Sequence, residues 1–590
     1  MSRNAIVVLV SLVVAVWAAG AGCGDATPES TGPLVGPFST ASVACHEEGV
    51  NQGPFTVSDA LALNGADHED PADYAWNSAD VVPIAFAGSA ITIGGAGATA
   101  SGSTLTITAG GTYSISGTLN DGQIVVNAKG ALVRLVLNGM TITKSGDAAI
   151  FVSKASKAVI ELAGGTVNRV TDGTTYPAGV DQNAAVFSKT NLSIHGEGVL
   201  VVTGRYADGI TSKDGLVIDG GHITVNAVDD GIRGKDYLVV RAGTIDVTAG
   251  GDALKSDEDV DATLGYVLIT GGSITGTSGD DGIQAQTDVL ITGGTVALRA
   301  GGGSSATVTD TAVSSKGVDA GVAIVVDGGT IDVDAADDGF NSSGIVVING
   351  GTTTVASGDD GIHGDSTLVI NAGDVSVTKS YEGIENTLAD MTFNGGRIHV
   401  VSTDDGINLA GNGDADPDVP TGDYTLRINA GRIVSAADGD GLDANGHIVM
   451  NGGCVIVNGP TNGDNGAIDY HGTFRMNGGL LVAAGSAEQA EAPGASSTQY
   501  SVLLTLPWNS QPGTLIHIQS QAGVGVLDFA PAKAFRSLAF SSPALANATT
   551  YNVYLGGTAT GTPIDGLYEG AAFADGTLVQ SITISGIVTH

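Results

Sequence analysis

"VVINGGTTTVASGDDGIHGD", residues 346–365, holds two features whose recurrence decides the fold: an apolar strand running into an Asn-Gly turn, and paired aspartates against a glycine. The glycine after the aspartates recurs as Gly209, Gly231, Gly282, Gly317, Gly339, Gly361, Gly383, Gly406, Gly441 and Gly466. The shortest steps, 231−209, 339−317, 361−339 and 383−361, all equal 22, which sets the repeat unit. Between Gly231 and Gly282 the rung "GGDALKSD" carries Ala253 at the glycine position. The longer steps hold insertions such as "DEDVDA" and "GNGDADPDVPTG".

The strand-turn feature repeats as "VVINGGTTTV", "LVINAGDVSV", "MTFNGGRIHV", "LRINAGRIVS" and "IVMNGGCVIV". In its second strand, Ile331, Val333 and Ala335 alternate with Asp332 and Asp334, the period of a strand with one buried face. Helical periodicity is absent from the array. Short strands that return to the same phase every unit cannot pair as hairpins, so they coil, each turn stacking on the last. The expected fold is all-β, a parallel β-helix over residues 56–485. Asn349, Asn371, Asn394, Asn429 and Asn451 fall at one position in successive coils, where their amides form ladders. The glycine beside each Asn is expected to take the positive φ that the turn needs.

Glycine, at 90 of 590 residues, is about twice its usual share, and the 42% hydrophobic content is too high for a disordered chain. With 23 Lys+Arg against 62 Asp+Glu, the net charge of −39 repels nucleic acid and anionic membrane. A polyanionic partner would therefore need bridging cations. In a stack, one position recurs every ~4.8 Å. Asp230, Asp252, Asp281, Asp338, Asp360, Glu382, Asp405, Asp440 and Asp464 or a neighbour form one acidic column. Asp229, Asp280, Asp337, Asp359, Asp404 and Asp438 flank it. Two unit charges at that spacing repel by roughly 3.5 kcal/mol at an effective dielectric near 20. Single aspartates commonly make solvated turns, but a doubled column in phase with the fold points to bound metal. A cation midway between coils lies ~2.4 Å along the axis from each, close to the calcium–oxygen distance. The ten histidines and three cysteines show no recurring zinc spacing. Calcium is the expected cofactor.

Among the scarce basic residues, Lys189, Lys213 and Lys235 align at one position, and Arg233 aligns with Lys255. Lys213, Arg233, Lys235 and Lys255 are the candidate polysaccharide contacts, either clamping uronate carboxylates or neutralising nearby aspartates. In a lyase the same Lys213, Lys235 and Arg233 would be the base candidates. A motif repeated almost uniformly speaks for binding, because an active site needs one distinctive constellation. A surface stalk with purely structural calcium is the third reading.

The ends differ from the array. Arg3, the apolar run over residues 5–19 and "GAGC" at residues 20–23 read as an export signal over residues 1–22. "GAGC" resembles a bacterial lipobox, with Cys23 as the lipidated residue and Gly20 where leucine is usual. Residues 23–55 then read as a Pro/Ser/Gly-rich tether, and the protein is expected to be an exported outer-membrane or cell-surface lipoprotein. Ordinary secretion after Ala21 is the alternative. Lipidation of Cys23 leaves Cys45 and Cys454 as the only possible disulfide pair. After residue 485 the period is lost, Trp508, Phe529, Phe535, Phe540, Tyr551, Tyr554 and Tyr568 appear, and residues 486–590 are expected to form a β cap on the last coil.

The blocks "GTYSISGTLNDGQIVVNA", "LVLNGMTIT", "NAAVFSKTNLSIHGEGVLVV", "ADGITSKDGLVI" and "DDGIRGKDYLVV", with the ending "APAKAFRSLAFSSPAL" and "TTYNVYLGGTATG", resemble a family of secreted bacterial carbohydrate-binding proteins. The likeness runs from Ser89 to the C-terminus. It implies a right-handed parallel β-helix similar to that of pectate lyases, calcium binding, and binding of cellulose and polygalacturonate without an assigned catalytic activity. It passes the metal role to the DDG aspartates, with weaker sites or none at the departures Ala253, Lys316 and Glu382. The expected function is calcium-dependent binding of acidic or cellulosic polysaccharide by a monomer that meets the membrane only through its lipid.

Overall fold

The computed structural model describes residues 55–306, 314–411 and 423–590. The chain divides between Glu385 and Asn386 into two compact units. The expected signal peptide, Cys23, Cys45 and all of the tether except Phe55 lie outside the described residues. Both units are built almost entirely of short strands in long parallel sheets, as in a β-solenoid.

In the first unit a coil consists of three strands, for example Phe340–Ser342, Ile345–Ile348 and Thr352–Ala356. Each pairs in parallel with its counterpart in the next coil: Phe340 with Ile362, Val346 with Leu368, Thr352 with Asp374. Phe340, Ile348, Val355 and Ile362 point inward and are fully buried. The interior is thus a stack of apolar layers, and what a coil exposes is decided by the alternate positions.

The asparagine ladder forms: Asn371 donates to Asn349 (2.7 Å), and Asn349 to Asp327 (2.7 Å). The positive φ falls two residues after the Asn rather than beside it, at Gly351 (+83°) and Gly373 (+97°). This corrects the expectation and explains why Asn-Ala-Gly serves as well as Asn-Gly-Gly. The glycine after the aspartates has a different reason for being glycine, namely lack of room. A Cβ on Gly231 would lie 2.2 Å from Val247 Cγ1 and 2.7 Å from the Ala253 carbonyl oxygen. The rung that carries Ala253 makes space for it, since a Cβ on Gly276 would meet the Ala253 Cβ at 3.1 Å. Gly231→Ala should therefore cost about 1–3 kcal/mol by overpacking. Combining it with Val247→Ala should show a favourable coupling of about 1 kcal/mol in denaturant melts. A Gly231→Ala protein that unfolds like the parent would refute the close packing.

Residues 56–80, expected within the coils, form instead a strap that runs back along the first unit. It opens with the helix Val57–Leu61, capped reciprocally by Thr56 and Asp59. Its contacts then step down the stack: Asn349 donates to the Phe55 carbonyl (2.9 Å), Asn64 to Asp288 (2.6 Å), Arg241 to Asp67 (2.6 Å) and Arg134 to the Asp73 carbonyl (2.9 Å). The segment lacks strand alternation, and its polar side chains find partners on coils far away in sequence. The stack proper starts at Val81–Gly88, which pairs antiparallel with Ala90–Ile93 and in parallel with Gly111–Leu119.

In the second unit Ile407–Leu409, Leu442–Ala444 and Ile468–Tyr470 stack in parallel. The ladder continues here from Asn394 through Asn429 and Asn451 to Asn477, at 2.8–2.9 Å. After Leu480–Gly485 the pairing turns antiparallel, to Phe535–Ser541 and then Ser501–Ser510. Phe529, Phe535, Phe540 and Tyr551 are buried in one core with Leu480 and Val482 of the last coil, whereas Trp508 is exposed. Arg432, fully buried, is held by Asp565 (2.6 Å) and the Ile564 carbonyl (2.9 Å). Cys454 is buried and disulfide-bonded.

Candidate metal centre and glycan face

The second aspartate of each pair is turned inward, and one of its oxygens is already committed. Asp230 Oδ1 accepts the backbone N–H of Asp252 (3.1 Å), Asp252 that of Asp281 (2.9 Å), and Asp281 that of Lys316 (2.7 Å). Asp338 does the same for Asp360 (3.1 Å), Asp405 for Asp440 (2.6 Å), and Asp440 for Gly466 (2.5 Å). These six aspartates of the column therefore have a structural role, each satisfying a backbone amide of the following coil. Its remaining oxygens, with the more exposed first aspartates Asp229, Asp280, Asp359 and Asp404, are what a cation can reach.

Several rungs supply their own cation. Lys255 lies between Asp230 (3.3 Å) and Asp252. Lys316, at the departure from the DDG pattern, meets Asp337 (2.9 Å) and Asp338 (2.6 Å). His363 lies 2.9 Å from Asp360, 2.6 Å from Glu385 and 3.1 Å from Asp365. Burial opposes its protonation, but hydrogen bonds to these three carboxylates push its pKa up to about 12, so it is a fixed positive charge. Asp438 pairs with Lys533 (2.8 Å).

Other rungs do not. Asp440, Asp443 and Asp469 place carboxylate oxygens within 4.8 Å of one another, and among the described residues no basic group pairs with any of them. Burial and neighbouring carboxylates raise Asp443 well above the ordinary range, Asp405 to about 7 and Asp440 to about 6. Asp252, Asp280 and Asp281 form a second such cluster, with Lys255 on one side only. There burial and Asp252 push Asp281 up to about 8, and burial raises Asp252 to about 6. Purely oxygen donors with uncompensated charge fit a hard cation of the calcium type. The His363 cluster, which already holds a fixed positive charge in its middle, fits one poorly.

Asp443 and Asp469 were missed in the sequence, as were His363 and Glu385. His363, Glu385 and Asp443 sit two residues after the motif glycine, and Asp469, which pairs in register with Asp443, sits two after Ala467. Successive coils place these residues in register: Thr211, Arg233, Lys255, Gln284, Asp319, Asn341 and His363 in the first unit, Asn408, Asp443 and Asp469 in the second. The recurring "GIH", "GIE" and "GLD", with "AID" at residues 467–469, carried the signal. This ladder carries Arg233 and Lys255 in its early coils and Asp443 and Asp469 in its last ones.

The aligned basic residues separate into two kinds. Arg233 bonds Asp257 (3.0 Å), Lys235 bonds Glu258, and Lys189 bonds Asp181 (2.5 Å), so with Lys255 these are engaged. Lys213 is half-buried, 6.0 Å from the Phe187 ring centroid, and pairs with no carboxylate among the described residues. Burial and Arg233 lower its pKa.

The sequence model of a family described as carbohydrate-binding domain-containing protein matches residues 101–361 and 359–499. A carbohydrate-binding domain-containing protein of Acetivibrio thermocellus is 41% identical over 126 residues, which are 20% of this chain and 44% of that relative. The chain thus spans under half the length of the curated relative it matches. A solved structure of the polysaccharide lyase-like protein from C. thermocellum, a gadolinium derivative, is 31% identical, covering 45% of this chain and 96% of that one at a TM-score of 0.36. The matched segments take in most of the coils and the acidic rungs, and the chain belongs to the carbohydrate-binding domain-containing protein family.

Proposed function

We propose that this protein binds acidic polysaccharide through calcium held on the acidic rungs of a right-handed parallel β-helix with coils of about 22 residues. The observation that carries this reading is the convergence of Asp440, Asp443 and Asp469 with no basic partner among the described residues. Calcium bound there would neutralise the cluster and leave outward coordination positions for ligand oxygens. Polygalacturonate, whose carboxylates are such oxygens, is the leading ligand, and uncharged cellulose the second. The same reading has the chain exported and lipid-anchored at Cys23, acting as a monomer at the cell surface.

On immobilised polygalacturonate, the protein should be retained with calcium and released by chelator, and Asp443→Asn with Asp469→Asn should weaken retention at least about 10-fold. Retention indifferent to chelator would refute calcium bridging, and no retention on any glycan would leave the surface-stalk reading. The lyase alternative has one observation in its favour, that Lys213 pairs with no carboxylate among the described residues. Unsaturated product absorbing in the ultraviolet, and lost in Lys213→Ala, would establish it.

A further inference from the structure

Apart from the acidic rungs, the first unit carries an aromatic shelf that no ion bridge explains. Tyr176 and Tyr206 stack with centroids 4.3 Å apart and planes at 11°. Tyr176 is the fixed member: its hydroxyl lies 2.9 Å from both the Asp172 carboxylate and the Ala184 carbonyl, and it packs on the buried cluster of Ala148, Ala184 and Phe187. Tyr206 lies over it, 42% exposed. On the same Phe187 ring rests the amine of Lys213, the aligned lysine that has no carboxylate partner among the described residues. The stacked tyrosines and a half-buried cation with no carboxylate partner among the described residues thus border one buried cluster.

We propose that Tyr206, backed by Tyr176, and Lys213 form a calcium-independent subsite for one uronic acid residue of the glycan, the pyranose ring lying on Tyr206 and its carboxylate meeting the Lys213 ammonium. The proposal rests on the reading of the protein as a binder of acidic polysaccharide and names where one sugar is held directly. An aromatic face takes the apolar C–H face of a pyranose, and a ring already immobilised by stacking loses little freedom on binding. A half-buried ammonium is screened less than an exposed one and gains a charge-assisted hydrogen bond. Neutral sugars can use the shelf alone, and uronates both elements.

The test titrates galacturonate oligomers and neutral glucan oligomers of equal length, in calcium and in chelator, against the full chain. In chelator the parent should keep weak affinity for the galacturonate oligomer. Tyr206→Ala should weaken both oligomers about 10-fold. Lys213→Ala should weaken the galacturonate oligomer alone, about 5- to 10-fold, with Lys213→Arg restoring it. Thermal melts matching the parent exclude misfolding, and Tyr206→Phe should bind like the parent. Equal binding by the Ala variants and the parent, or parent binding that vanishes entirely in chelator, would overturn the subsite while leaving the calcium-dependent function standing. A parent that binds neither oligomer under either condition overturns both.

Discussion

Stripped of divalent metal, the protein should become more stable as the pH falls from about 8 to about 5, the reverse of ordinary acid destabilisation. Asp281 is raised to about 8 by burial and Asp252, Asp405 to about 7 by burial and Asp440, and Asp208 to about 7 by burial and Asp230. A carboxylate with a raised folded-state pKa keeps its proton where the unfolded chain, near 3.8, has lost it. The native state then binds more protons, and unfolding free energy falls as pH rises through that window. Each tenfold difference in proton affinity between folded and unfolded chain corresponds to about 1.4 kcal/mol, so these groups together supply several kcal/mol even after discounting for residual water. His363 is raised as well: its contribution is fully present below the unfolded value of 6.5 and declines as the pH rises above it towards the folded value of about 12, so it adds to the same trend in the upper part of the window. Calcium should reverse the trend, competing with protons for the same oxygens and stabilising by up to ~4 kcal/mol per site at a thousandfold excess over Kd. Melts between these pH limits, in chelator and in calcium, check it. A metal-free melt that rises with pH, or one that calcium does not move at the alkaline end, would sink the idea.

Lys316→Ala should cost about 3–5 kcal/mol in metal-free protein, because it strands Asp337 and Asp338 without their cation. Lys316 is 2.6 Å from Asp338, which is 7% exposed, and 2.9 Å from Asp337. Its own pKa is held above the usual lysine range, Asp338 outweighing burial. The same change should give the rung the uncompensated oxygens of the Asp440 cluster, so calcium should raise the variant's melting temperature more than the parent's. Lys316→Met keeps most of the packing and should lose comparable stability if the charge is what matters. An unchanged metal-free melt with an unchanged calcium response would show that the lysine is not the built-in counter-ion.

The repeat made much of this legible. Stacking returns the same side chain to the same surroundings every coil, so the asparagines could be assigned to ladders and the alternating valines and isoleucines to the interior from spacing alone. The in-phase aspartates likewise announced a column of charge. What spacing could not reveal was which of those charges are already balanced. Lys255 reaches back to Asp230 on the preceding coil, Lys316 forward to the following one, and His363 to both Asp360 and Glu385. Nor could it place the strap, whose side chains bond residues more than a hundred positions away.

From its sequence alone, then, the chain is determined to be a stacked all-β array with an acidic face, since a 22-residue phase and alternating burial are local properties repeated many times. Only the tertiary structure decides where that face can take a metal and where a lysine or histidine has replaced it. Burial and Coulomb interaction between neighbouring coils depend on distances of a few ångströms, across residues that the sequence separates by twenty or more.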